Sequence, residues 1–124
     1  MFLNKKIILH MLGYLILSVN TIAANHISPN SNIILGEKIY INHCKVCHGN
    51  QGDGKTFAAN VLFPPPKNFL LKNTKAELTL ARMILSVVQG RPNTAMMPWE
   101  NILSEEEIVS VVSYIRKELM KFKD

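Results

Sequence analysis

A chain of 124 residues has the length of one small domain, and a core drawn from so few residues stays marginal unless a cross-link or a built-in cofactor adds to it. Its formal net charge of +5 is modest and dispersed, without the basic stripe and interleaved stacking aromatics of a nucleic-acid binder. Nucleic acid is therefore excluded as a partner.

Lys5 and Lys6 precede an apolar run from Ile7 to Val19, broken only by His10 and Ser18, and small residues follow at Ala23 and Ala24. Basic, apolar, then small residues is the order of an export signal, so residues 1–24 are expected to be a signal peptide cleaved after Ala23 or Ala24. Its removal takes two lysines and brings the charge to about +3. The competing reading is an uncleaved membrane anchor, but a span needs roughly 20 apolar residues, and this run ends sooner, on Asn20 and Thr21. Residues 25–32, rich in Asn, Ser and Pro, read as a flexible leader in which His26 is incidental. The folded domain is then residues 33–124.

From Ile33 to Val46 the apolar spacing is helical, through Ile33, Ile34, Tyr40, Ile41 and Cys44. Gly36 lowers helix propensity there and suggests close approach of another helix. The stretch "CKVCHG" (44–49) closes this segment and contains both cysteines of the chain. A disulfide across two intervening residues closes a tiny loop and constrains the unfolded chain little. A thioredoxin-like pair needs an alternating strand–helix pattern that is not visible. Zinc needs four ligands, and His26 and His43 lack the second paired spacing; His43 reads as a surface residue. C-x-x-C-H is the spacing of a c-type haem attachment site. On one helical turn Cys44 and Cys47 lie on one face, where two sulfurs reach two vinyl groups. His48 is then set to offer a ring nitrogen to iron.

The next stretch, "GNQGDGKTFAANVLFPPPKNF", has three glycines and three prolines and is predicted to be a loop wrapped on the cofactor. Gly49, Gly52 and Gly54 serve tight bends, and Pro64, Pro65 and Pro66 keep the chain extended. Helix is predicted to return at Thr74, with "TKAE" as a capping box between Thr74 and Glu77 and an apolar stripe through Leu78, Met83, Ile84, Leu85, Val87 and Val88 to a stop at Gly90. Met83, inside that stripe, reads as core rather than ligand. The last helix opens on "SEEE", with Ser104 as N-cap and Glu107 returning the bond. Its buried stripe is Ile108, Val111, Val112, Ile115 and Leu119. The three acids satisfy the helix N-terminus, which leaves no carboxylate pair for acid–base catalysis.

Between these helices, "GRPNTAMMPWENILS" supplies candidates for a second iron ligand. With "GEKIYINHCKVCHGNQGDG", "PPPKNF" and "GRPNTAMMPWENILSEEEIVSVVSYI" in view, the chain from Ile33 to Leu119 resembles a class I monohaem cytochrome c of the bacterial periplasmic type. The resemblance implies an all-α fold, three to four helices wrapped around one covalently attached haem c, with Gly36 and Tyr40 meeting Tyr114 where the terminal helices cross. It implies Met96 as the axial methionine, two residues after Thr94, with Met97 directly before Pro98 as the alternative. It also puts the carbonyl that receives the other ring N–H of His48 on one of Pro64 to Pro66, and makes Phe69 and Trp99 pocket walls.

A His/Met pair leaves iron no open position, so one-electron exchange is its remaining chemistry. The function expected is a periplasmic electron carrier, not an enzyme, without a small-molecule substrate. Its partners would be periplasmic or membrane-bound oxidoreductases, docked electrostatically on Lys45, Lys55, Lys67, Lys72 and Lys75. The alternatives are a haem enzyme or gas-sensing module with a labile methionine, and a non-haem thiol protein using Cys44 and Cys47.

Overall fold

The computed structural model describes residues 32–123; the signal and anchor readings, and nearly all of the leader, lie outside them. Among the described residues there is no strand, and no helix is long and apolar enough to cross a membrane. Four helical segments form the domain.

The first, α1 (Ile33–Ile39), starts where Asn32 accepts a hydrogen bond from the Leu35 N–H at 3.0 Å, a side chain supplying what the first turn lacks. It runs through a π-helical turn (Tyr40–Cys44) into a short turn, α2 (Lys45–His48). The long segment that follows contains only a 3-10 turn (Ala59–Val61), and Gly49, Gly52 and Gly54 all take positive φ, in line with the predicted loop.

The predicted single helix from Thr74 to Gly90 is two. One, α3, covers Lys72–Glu77, and after a break at Leu78 and Thr79 the next, α4, covers Leu80–Gln89; Leu85, expected in the apolar stripe, lies on the outer face of α4 and is exposed, while Met83 and Val87 are buried. Thr74 is buried inside α3 and caps nothing. The cap is Thr79, whose hydroxyl accepts from the Arg82 N–H at 3.2 Å, while Glu77 is drawn into ion pairs with Lys67 and Arg82. Arg116 fixes the joint: its Nη1 donates to the Leu78 carbonyl at 2.9 Å, and its guanidinium lies 4.3 Å from the Phe122 ring centroid.

The last helix, α5 (Glu105–Tyr114), has the predicted capping box. Ser104 N–H donates to Glu107 Oε2 at 2.8 Å and Glu107 N–H to Ser104 Oγ at 3.3 Å. A π-helical turn (Ile115–Leu119) continues it. Ile108, Val111, Val112 and Ile115 are buried, and Leu119 is half-buried; burying a side chain of that size contributes about 1.5–3 kcal/mol. They form one core with Ile39, Tyr40, Met83, Val87 and Leu103.

α1 and α5 cross at Gly36. A Cβ there would overlap the Ser110 carbonyl oxygen and lie 2.8 Å from Tyr114 Cβ, so the helix backbones meet with no side chain between them. Tyr40 and Tyr114 flank the crossing with ring centroids 5.6 Å apart, the meeting that the resemblance implied. Tyr40 then reaches the attachment turn, its buried hydroxyl donating to the Gly49 carbonyl at 2.7 Å.

Candidate functional site

A cleft with about 650 Å³ of empty space, open solvent included, lies between the C-terminal end of the first helical run, α4 and α5. Val87, Val111, Val112, Ile115, Leu78 and Phe69 give it apolar walls.

Cys44 and His48 line this cleft. Cys47 is half-buried beside them, and the two cysteines are thiols not joined to each other. Burial, reinforced by Cys47, pushes the Cys44 thiol up to about 12, so it is protonated at neutral pH and a poor nucleophile. That counts against a thiol-redox pair. No group of three or more His, Cys, Asp or Glu able to hold a metal ion occurs among the described residues. His43 does not line the cleft; it is exposed and edge-on to Trp99, with centroids 5.3 Å apart.

His48 stacks on Phe69, ring centroids 4.8 Å apart and planes within 11°. Burial holds its imidazole below the usual histidine range, partly offset by a backbone hydrogen bond to Lys67. The neutral ring is the form that binds metal. Its Nδ1 is 3.3 Å from the Lys67 carbonyl. With the proton on Nδ1, this bond leaves the Nε2 lone pair free. The accepting carbonyl is therefore Lys67, one residue beyond the proline run and not one of Pro64 to Pro66. The Pro66 carbonyl instead faces Gly54.

Met96 also lines the cleft, whereas Met97 is 51% exposed and does not. The turn that presents Met96 is closely tied. Thr94 Oγ1 donates to the Arg91 carbonyl at 2.8 Å and accepts from the Met96 N–H at 3.1 Å, and Arg91 N–H donates to the Met96 carbonyl at 2.9 Å. Gly90 has φ +68, and a Cβ there would come within 2.6 Å of the Met96 carbonyl oxygen, so only glycine lets this turn fold back on the end of α4. Trp99 N–H donates to the Val87 and Val88 carbonyls at 3.0 and 3.2 Å, capping α4. The Trp99 side chain does not line the cleft, contrary to expectation; it packs on His43 and the margin of the core. Phe69 is a wall as expected, and Met83 is a buried core residue whose side chain also reaches the cleft.

One feature of the site lay outside the sequence reading. Lys67, Glu77, Arg82, Ser86 and Arg91 interrupt the apolar lining. Arg82 and Ser86, four apart on the face of α4 that carries Met83 and Val87, are its visible trace in the sequence.

The cleft fits a haem in its apolar walls and donor set: two cysteines on one turn, a neutral imidazole and a thioether. The comparisons agree. The model of the family described as cytochrome c matches residues 33–118, and the chain belongs to the cytochrome c family. Covalent haem c and electron transfer are what that family implies. Over 88 residues, 66% of the chain, it is 32% identical to the cytochrome c subunit of the quinone alcohol dehydrogenase of Gluconobacter oxydans (strain 621H), spanning 18% of that subunit. Among solved structures it is similar to the KustC0563 c-type cytochrome, with 28% identity, TM-score 0.57, and coverage of 72% of this chain and 98% of that one. It is also similar to a chain of the Kuenenia stuttgartiensis reducing HAO-like protein complex Kustc0457/Kustc0458, with 27% identity, TM-score 0.59, and coverage of 73% of this chain and 44% of that one.

Proposed function

We propose that this chain is a periplasmic electron carrier with a single haem c, bonded through thioethers to Cys44 and Cys47 and ligated by His48 and Met96. The observation that carries the reading is that His48 and Met96 line one apolar cleft from separate elements, while Met97 turns its side chain outward. A haem held there by His48 and Met96 would supply one-electron chemistry, and thioether ligation would favour Fe(II) and a high potential. The residues do the rest. Neutral His48 is oriented by the Lys67 carbonyl and Phe69. The bonds among Arg91, Thr94 and Met96 hold the second ligand in place, which disfavours the labile methionine of an enzyme or gas sensor. Apolar walls exclude water.

The partners fitting this reading are oxidoreductases, periplasmic or membrane-bound, to which the chain is a carrier or a component, in keeping with its likeness to a dehydrogenase's cytochrome c subunit. From Gly54 to Ala76 there are four lysines and no acid, and Phe57, Val61 and Phe63 are almost wholly exposed there. Such a surface suits a partner with an acidic rim. Lys67, paired with Glu77 at 2.8 Å, contributes less to it than Lys55, Lys72 and Lys75.

Optical spectra of haem-loaded Met96→Ala and Met97→Ala test the ligand set. The methionine–iron charge-transfer band is expected to vanish in Met96→Ala alone. Retention of the band in that variant, or its loss in Met97→Ala, refutes the assignment. N-terminal sequencing of protein from the periplasmic fraction tests export and cleavage after Ala23 or Ala24.

A further inference from the structure

From Thr56 to Pro66 the chain carries no charge, and a lysine stands at either end, Lys55 and Lys67. Within that stretch Phe57 is 92% exposed, Phe63 96% and Val61 80%, and none of the three lines the cleft. The loop that carries them is nevertheless closely built. Thr56 Oγ1 donates to the Cys47 carbonyl at 3.4 Å and accepts from the Ala59 N–H at 3.0 Å, and Ala59 is buried beneath the turn. The N–H groups of Asn60, Val61 and Leu62 donate to carbonyls of the same turn at 3.2 to 3.3 Å, and Pro64, Pro65 and Pro66 have no N–H to satisfy. A tip that keeps its backbone donors occupied and its large apolar side chains outside is the reverse of what contact with water favours.

Rings at that exposure have almost no neighbours, so they stand out from the surface as wedges. A protein partner would need a pocket shaped to each of them. Fluid acyl chains close around an apolar wedge of any shape, and backbone whose donors are already bonded loses little on leaving water. Lysines at the edge of such a wedge suit anionic headgroups. Lys55 and Lys72 are exposed, whereas Lys67 is held by Glu77. We propose that this loop docks the protein on an anionic lipid surface, with Phe57, Val61 and Phe63 entering the headgroup boundary while Lys55 and Lys72 meet lipid phosphates. The inference goes beyond the electron-carrier reading and does not depend on which residues ligate the iron. Three side chains and two charges make a reversible contact, unlike a membrane span, so the protein stays free to move along the surface to a membrane-bound oxidoreductase. Because Thr56 ties the loop to Cys47, docking by the tip also sets the attachment turn at a fixed height above the lipid.

The experiment floats haem-loaded protein from the periplasmic fraction with vesicles of phosphatidylglycerol and phosphatidylcholine in equal parts, and with vesicles of phosphatidylcholine alone. Wild type is expected to rise with the anionic vesicles at low salt and to be released as added salt shortens the reach of the charges. Phe57→Ser/Phe63→Ser should weaken partitioning at least about tenfold, and Lys55→Gln and Lys72→Gln about fivefold each, all with the absorption spectrum of wild type. Ile34→Ser, which removes an exposed apolar side chain from α1, should bind as wild type does. Wild type that stays below the anionic vesicles, floats equally well with neutral ones, or floats undiminished once both phenylalanines are serine would overturn the lipid site. So would wild type that ignores vesicles while the double serine variant loses electron transfer to a detergent-solubilised oxidoreductase, a result that gives the loop to a protein partner. Each of these failures would leave the haem reading standing, because the absorption of the same preparation reports on it separately.

Discussion

Replacing Gly36 by alanine sets two known effects against each other, and the structure says which wins. Alanine is the better helix former, by about 1 kcal/mol at an interior position. The added Cβ, however, would overlap the Ser110 carbonyl oxygen and lie 2.7 Å from its carbonyl carbon and 2.8 Å from Tyr114 Cβ. Two of these three atoms are backbone within α5, which no rotamer change can move. Restoring an ordinary 3.4 Å contact to Tyr114 Cβ alone requires the helices to part by about 0.6 Å, and gaps of that size forfeit a quarter or more of the dispersion contact of the atoms facing them. Overpacking typically costs about 1–3 kcal/mol, and a collision with backbone belongs at the upper end. Net destabilisation of about 1–2 kcal/mol is expected after the propensity gain, a fall in Tm of roughly 5–15 °C for a domain this size. Thermal unfolding of the haem-loaded protein, followed by far-ultraviolet circular dichroism, measures it. Ser110 also has a buried hydroxyl with no hydrogen-bond partner in the structure, but the collision is with its main chain, so Gly36→Ala/Ser110→Ala should show no relief of the clash beyond the separate effect of Ser110→Ala. A Tm at or above wild type in Gly36→Ala would refute the close crossing.

Two further outcomes follow from the site. Thr94→Val removes the hydroxyl that bonds the Arg91 carbonyl and the Met96 N–H, a loss of about 0.5–1.5 kcal/mol per bond confined to the turn, so the methionine–iron band should bleach at a lower temperature while the dichroism midpoint moves less; parallel shifts would count against a local role. The Glu77 carboxyl is held below its usual range by its hydrogen bond and charge interaction with Lys67, then by Arg82 and Arg91. Its stabilising effect is thus fully present above the ordinary glutamate value of about 4.3 and lost as pH falls through the lower folded value. The Tm difference between wild type and Glu77→Gln should accordingly be present at pH 7 and shrink on acidification below that range, and a difference unchanged at pH 3 would contradict the ion pairs.

What was legible in the sequence was written in side-chain identity at fixed spacing. C-x-x-C-H, the Ser104–Glu107 box, the stripe of α5 and the small residue at the helix crossing are local codes, and each is found in the fold. The α3–α4 break was not legible because "TKAE" and "TLAR" both offer a threonine cap, and local chemistry barely separates them. Tertiary contacts decide: the core takes Thr74, while Lys67 and Arg82 take Glu77. The π-helical turns at Tyr40–Cys44 and Ile115–Leu119 escape a reading that assumes one helical period throughout.

The partner of His48 shows why such a site is only half readable. A carbonyl acceptor belongs to every residue, so no letter of the sequence distinguishes Lys67 from the prolines before it; the path of the loop chooses. That path is fixed by the Phe69 N–H, which donates to the Gly52 carbonyl at 2.7 Å, and by Phe69 itself, stacked on the histidine ring. The same placement brings the Lys67 side chain to Glu77 and so to the charged rim of the cleft. One backbone position thus serves two ends of the site, its carbonyl on the imidazole and its ammonium on the rim. A substitution at Lys67 that keeps the backbone should disturb the second without touching the first.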